Sequence, residues 1–136
     1  MRNLTAIAAT VAFFACGVAA AAPMTRDDYK ASRARIIAEY EAERQKCGPS
    51  LGTPTEICVA RARGARKVAN AELQAAYKPG PRTYYAAAMA RAEAAFAIAK
   101  EECDRQKGEA RKACDKDAKA AFERAKAEAK AARKAS

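Results

Sequence analysis

The sequence predicts an all-α protein of two tandem disulfide-stapled antiparallel helical hairpins, packed together as a four-helix bundle. Three observations predict it. CGPSLGTPTEIC (residues 47–58) and CDRQKGEARKAC (103–114) share one frame, two cysteines ten residues apart. The chain matches itself at an offset of 56: Tyr29 falls on Tyr85, Arg35 on Arg91, Tyr40 on Phe96, Gly52 on Gly108 and Glu72 on Glu128. The segments around these frames are rich in Ala, Glu, Lys and Arg, the strongest helix formers.

The N-terminal stretch reads as an export signal. Arg2 supplies the charged start, Ala6 to Val18 is apolar, and Ala19 to Ala22 are small residues suited to cleavage. Residues 1–21 are therefore expected to be a signal peptide, cut after Ala20 or Ala21. The apolar run is too short to span a bilayer. Cys16, after Ala15, admits a lipoprotein signal as the alternative.

The first hairpin unit covers residues 22–80. Its first helix is expected from Arg26 to Lys46, ended by Gly48, Pro49, Gly52 and Pro54. Its second begins at Thr53-Pro54-Thr55-Glu56, which has the pattern of a capping box with proline at the first helical position. That helix runs to Tyr77, where Lys78-Pro79-Gly80-Pro81 stops it. The second unit covers residues 81–136. It is expected to hold a helix from Thr83 to Arg105 and another from Gly108 or Glu109 toward the end. Beyond Phe122 there is no large apolar residue, so Arg124 to Ser136 is expected to project or fray.

Cys47, Cys58, Cys103 and Cys114 remain after the signal peptide, and an even count in a small exported chain reads as disulfides. If Cys47 faces Cys58 in an antiparallel hairpin, residues whose numbers total 105 face each other. Tyr40 then meets Ala65, Ile36 meets Ala69, Tyr29 meets Ala76, and Arg33 can pair with Glu72. With a total of 217, the second hairpin sets Phe96 on Ala121, Ala92 on Ala125 and Tyr85 on Ala132. Large residues against alanines let two helices lie close. That agreement favours the local pairs over the two cross-unit connectivities.

Ile37, Ile57, Val68, Leu73, Ile98 and Phe122 fall off these seams, and are assigned to packing hairpin on hairpin or to a dimer. The core is thin. Closing a loop of this length contributes about 3 kcal/mol per disulfide in the chain-entropy model, which is comparable to the net stability of such a domain.

Catalytic chemistry has little to work with. The chain has no histidine, which removes Ser–His and Cys–His pairs. It has no CxxC for a redox or zinc site and no Gly-rich phosphate loop. Acidic residues such as Glu123 and Glu128 stand at helix-surface spacing from Lys126 and Lys130. No enzyme activity and no cofactor are expected.

Charge is the more informative feature. The chain carries a net +10, and from Ile57 to Ala92 the only acid is Glu72. Arg61, Arg63, Arg66, Lys67, Lys78, Arg82 and Arg91 form the candidate anion-binding set, with Tyr77, Tyr84 and Tyr85 beside the Lys78–Arg82 loop. The competing reading is an ordinary solvated helix face. After export, lipopolysaccharide, acidic lipid or wall polymers fit as partners, and nucleic acid does not. Binding to envelope proteins, a structural or stress-related role, a holdase-type chaperone and a homo-oligomer are also consistent with amphipathic, stapled helices.

The motifs Asp28-Tyr29-Lys30-Ala31, Ile36, Tyr40, Cys47, Ile57-Cys58-Val59-Ala60, Ala71-Glu72-Leu73 and Tyr77-Lys78-Pro79 resemble a group of small exported proteobacterial proteins with one or more Cys-paired helical units. The resemblance implies a periplasmic location and a helical repeat. It brings no activity and no site residues. The second unit departs from the pattern, with Asp115-Lys116 in place of Val59-Ala60. The tail AKAAFERAKAEAKAARKAS is similar in composition to the central helix of TolA-type envelope proteins.

Overall fold

A computed structural model describes residues 23–49 and 52–135; the signal-peptide and lipoprotein readings, including Cys16, lie outside them. The described residues form four α-helices and no strand: α1 (Arg26–Lys46), α2 (Thr53–Tyr77), α3 (Pro81–Cys103) and α4 (Gly108–Ala135).

Helix starts follow cap chemistry, at positions partly different from those expected. α1 begins with a reciprocal capping box. The Asp28 N–H donates to Thr25 Oγ1 at 3.1 Å, and the Thr25 N–H donates to Asp28 Oδ2 at 3.2 Å. Thr53, expected as the N-cap of α2, is not the N-cap. The N-cap of α2 is Gly52, which has no side chain to cap with, and Thr53 already lies inside the helix. Gly52 takes φ 135°, a conformation cheap only for glycine, and Pro54 is pre-set for the first turn, so the start moves one residue upstream. Proline also starts α3 two residues early, at Pro81. The Thr83 hydroxyl points back to the carbonyl oxygens of Lys78 (2.7 Å) and Gly80 (3.0 Å), which ties the inter-helix turn.

The helices pack in series, α1 on α2, α2 on α3 and α3 on α4, each antiparallel to the next. The bundle is open, with α1 and α4 at its two edges. Both disulfides are local: Cys47–Cys58 and Cys103–Cys114 each hold their Cα atoms 5.5 Å apart.

The seams follow the expected register, shifted in detail. The Tyr29 ring packs on the Tyr77 ring (centroids 4.6 Å apart), Phe96 stacks on Phe122 (4.9 Å), and the Arg133 guanidinium lies 4.6 Å from the Tyr85 ring centroid. Each ring reaches one residue past the alanine expected opposite it. Long helical side chains lean toward the N-terminus of their own helix, so in an antiparallel pair they overshoot the residue directly across. Phe122 therefore belongs to the α3–α4 seam and not to the contact between hairpins. The tail does not project as a free end: Ala129 is 5 % exposed and Arg133 covers Tyr85, so α4 stays docked on α3.

Glu72 is not the partner of Arg33. It turns to α3 and accepts from Arg91 Nε at 2.8 Å. Of the residues assigned to packing hairpin on hairpin, Ile57 and Leu73 are buried, whereas Ile37 is 44 % exposed because, among the described helices, α1 packs on α2 alone. The contact between the units is instead α2 on α3. There Gly64 meets Ala94, and the pairs Arg61–Glu102, Lys67–Glu93 and Arg91–Glu72 cross the interface. Apart from Ile57, Leu73 and Cys103, the buried hydrophobic residues are alanines, which is the thin core expected.

Candidate anion-binding site

The structure divides the seven basic residues into groups. Arg61 donates to Glu102 at 2.8 Å, Arg91 pairs with Glu72 at 2.6 Å, and Lys67 pairs with Glu93. Glu93 and Glu102 come from α3, beyond the stretch in which Glu72 is the only acid. These three cations therefore bridge α2 to α3. Lys78 lies 5.8 Å from the Tyr77 ring centroid, and Arg82 is exposed in the first turn of α3.

Arg63 and Arg66 behave differently. Both turn toward α1 and converge on Tyr40. The Arg66 Cζ lies 4.1 Å from the Tyr40 ring centroid, a cation–π contact. Arg63 and Arg44 lie close enough to the phenol oxygen to lower its pKa. Among the described residues, Arg44, Arg63 and Arg66 have no carboxylate oxygen within 4.0 Å. Three cations thus share one aromatic ring and one hydroxyl.

The phenol reports their field. Desolvation of the hydroxyl raises its pKa, and this is outweighed by hydrogen bonds from Arg63 and Arg44 and by the positive charges of Arg44 and Arg66. The balance holds the Tyr40 phenol below its ordinary value.

Helix ends and the staple position this group. Cys47–Cys58 joins the end of α1 to the first turns of α2, which puts Arg44 near Arg63. Gly48, with φ 73°, turns the chain away at the end of α1. Between these elements is an open cleft of about 440 Å³ lined by Arg44, Arg63, Gly48, Gly52, Thr55 and Val59. Glu56 and Glu101 also line this cleft, so it is not basic throughout. Tyr40 and Arg66 line a second groove of about 270 Å³ together with Ile36, Ala62 and the acids Glu39 and Glu43.

Sequence reasoning placed Arg63 and Arg66 in the basic set but missed Arg44 and Tyr40. The signal was available. In the hairpin register, Tyr40 is opposite Ala65, and Arg66 is the next residue. Reading the seam only for size matched Tyr40 with an alanine and overlooked the cation beside it.

All four described cysteines are in disulfides. Among the described residues, no three His, Cys, Asp or Glu side chains converge as a metal site, and no helix is long and apolar enough to cross a membrane. Compared with protein-family models, with curated proteins and with solved structures, the chain matches none.

Proposed function

We propose that this is a non-enzymatic, periplasmic binding protein of the cell envelope that holds an anionic group against Tyr40. Two stapled hairpins suit an oxidising compartment, and the sequence pattern of residues 1–21 suits delivery to it. The single observation that carries the reading is the grouping of Arg44, Arg63 and Arg66 around Tyr40, none of the three in a salt bridge among the described residues. Planar guanidiniums bind phosphate through paired, charge-assisted hydrogen bonds. Phosphate is the group that lipopolysaccharide and acidic lipids have in common. Glu56 and Glu101 line the same cleft, so the anion is held by the arginines and not by the cleft as a whole.

Calorimetric titration of the oxidised protein with inorganic phosphate, and separately with phosphatidylglycerol vesicles, tests this at low ionic strength. Binding that is lost in the Arg44→Ala/Arg63→Ala double variant and kept in Arg82→Ala supports the site. Binding that survives the double variant, or no binding to either probe, overturns it. Phosphate alone binding would identify a free anion site, and vesicles alone binding would identify a membrane headgroup site.

A further inference from the structure

The two edge helices carry the two halves of an interface that the chain already makes with itself. Inside the chain, the second helix of unit one (α2) packs on the first helix of unit two (α3). The unit repeats at an offset of 56, so α4 occupies the place of α2 in its unit and α1 the place of α3. Among the described residues, no other helix covers the corresponding face of either.

The equivalent residues retain the character of the interface. Ala87, Ala90 and Ala94 of α3 are buried, and Ile98 lies against Gly64. Their counterparts on α1 are Ala31, Ala34, Ala38 and Ala42, all exposed. Gly64, Ala71 and Ala75 of α2 become Ala120, Ala127 and Ala131 of α4, also exposed. Small residues on both sides are what a close helix pair needs.

The charges decide the partner. The Arg61–Glu102 bridge becomes Asp117 with Lys46, opposite in sign on each side and still complementary. The Arg91–Glu72 bridge becomes Arg35 with Glu128, with the signs retained. Val68 becomes Arg124, and in the same antiparallel register the residue across from it is Glu39. Lys67–Glu93 becomes Glu123 with Ile37, which loses a salt bridge but gives the exposed Ile37 a neighbour.

We infer that α4 of one copy docks on α1 of the next, repeating between chains the α2–α3 contact made within the chain. The occupant of the unpartnered faces is a second copy of this protein. The contact is heterologous, so it adds copies head to tail, as repeat proteins add units. It is weaker than its template, because Ile57 and Ile98 become Ala113 and Ala42, and because a Cβ at the Gly64 position presses on the alanine opposite. Much of its attraction is therefore electrostatic and screened by salt.

Sedimentation velocity of the oxidised protein over a concentration series tests this. The expected result is mass growing with concentration beyond a dimer, and shrinking as salt is added. Asp117→Lys alone and Lys46→Asp alone should each weaken association by about tenfold or more through like-charge contact. The two variants mixed, or both changes in one chain, should restore it; restoration excludes misfolding as the cause of the loss. Association limited to a dimer and unaffected by Lys46→Asp would place the contact on α4 against α4 and overturn the inference. A protein monomeric at all concentrations in low salt would overturn it as well.

Discussion

Gly64 of α2 lies so close to Ala94 of α3 that a Cβ on it would stand 3.1 Å from the Ala94 Cβ. A glycine inside a helix costs about 1 kcal/mol relative to alanine. Here it sets the approach of the two helices that join the hairpins. Gly64→Val should destabilise the protein by about 1–3 kcal/mol through overpacking. In Gly64→Ala the gain in helix propensity opposes the tight contact, leaving a change below about 1 kcal/mol. Urea unfolding with the disulfides intact measures both. A valine variant as stable as the parent would mean that this contact does not set the helix separation.

The two disulfides close equal loops, yet their surroundings differ. Cys103 is fully buried, while Cys47 and Cys58 are both partly exposed. Exchange requires a thiolate to reach a sulfur, so access controls rate. A limiting thiol reductant should open Cys47–Cys58 before Cys103–Cys114. Alkylation at timed intervals followed by peptide mass spectrometry reads the order. Replacing either pair by serines should cost about 3 kcal/mol in the chain-entropy model. Equal opening rates at both sites would show that burial of Cys103 gives no protection.

Much of this fold was legible because the repeat fixed a register. Once Cys47 was set against Cys58, the antiparallel pairing of Tyr29, Ile36 and Tyr40 with α2 followed from helix geometry alone. What the register could not supply was side-chain direction. Tyr29 finds Tyr77 and Phe96 finds Phe122 because rings lean along the helix, which residue numbers do not encode. Contacts between units were hidden for a different reason. Glu93 and Glu102 are distant from Lys67 and Arg61 in sequence, and only the α2–α3 packing brings them within reach. A local charge count therefore read three bridged cations as part of an open patch. The arginine cluster at Tyr40 arises the same way, with Arg44 on α1 and Arg63 and Arg66 on α2.

The phenol of Tyr40 offers a direct probe of that cluster. Its lowered pKa rests on Arg63 and Arg44 hydrogen bonds and on the charges of Arg44 and Arg66, which together outweigh desolvation. Alkaline titration followed by ultraviolet absorbance should find one tyrosine ionising below the ordinary range. Arg63→Ala should move that transition back up, whereas Arg82→Ala should leave it in place. A transition unmoved by Arg63→Ala would remove the arginines as its cause.

Phe122 anchors the helix tail. It stacks on Phe96, and downstream of it the packing of α4 on α3 rests on Ala129 and on Arg133 over Tyr85. Phe122 is only half-buried, so Phe122→Ala should cost about 2 kcal/mol, less than a fully buried phenylalanine. The loss should be concentrated locally. Hydrogen exchange in α4 beyond Phe122 should accelerate more than exchange near the Cys103–Cys114 staple. Uniform acceleration along α4 would mean the helix opens as one unit and the ring pair is no separate anchor.

The α1 cap carries a pH signature with a definite sign. Asp28 is held below the usual carboxylate range by its side-chain hydrogen bond with Thr25 and then by the Thr25 backbone N–H. A carboxylate with a depressed folded-state pKa stabilises the fold above its unfolded pKa, and the contribution disappears as pH falls through the folded value. Thr25→Ala removes both the hydroxyl acceptor and the hydroxyl donor of the box. At neutral pH the variant should therefore melt a few degrees lower than the parent. On acidification through the carboxylate range the gap should narrow, because protonation of Asp28 weakens in the parent what the variant already lacks. Parallel thermal melts of both proteins by circular dichroism measure the gap. If it stayed constant from neutral to strongly acidic pH, the cap would owe nothing to the charge on Asp28.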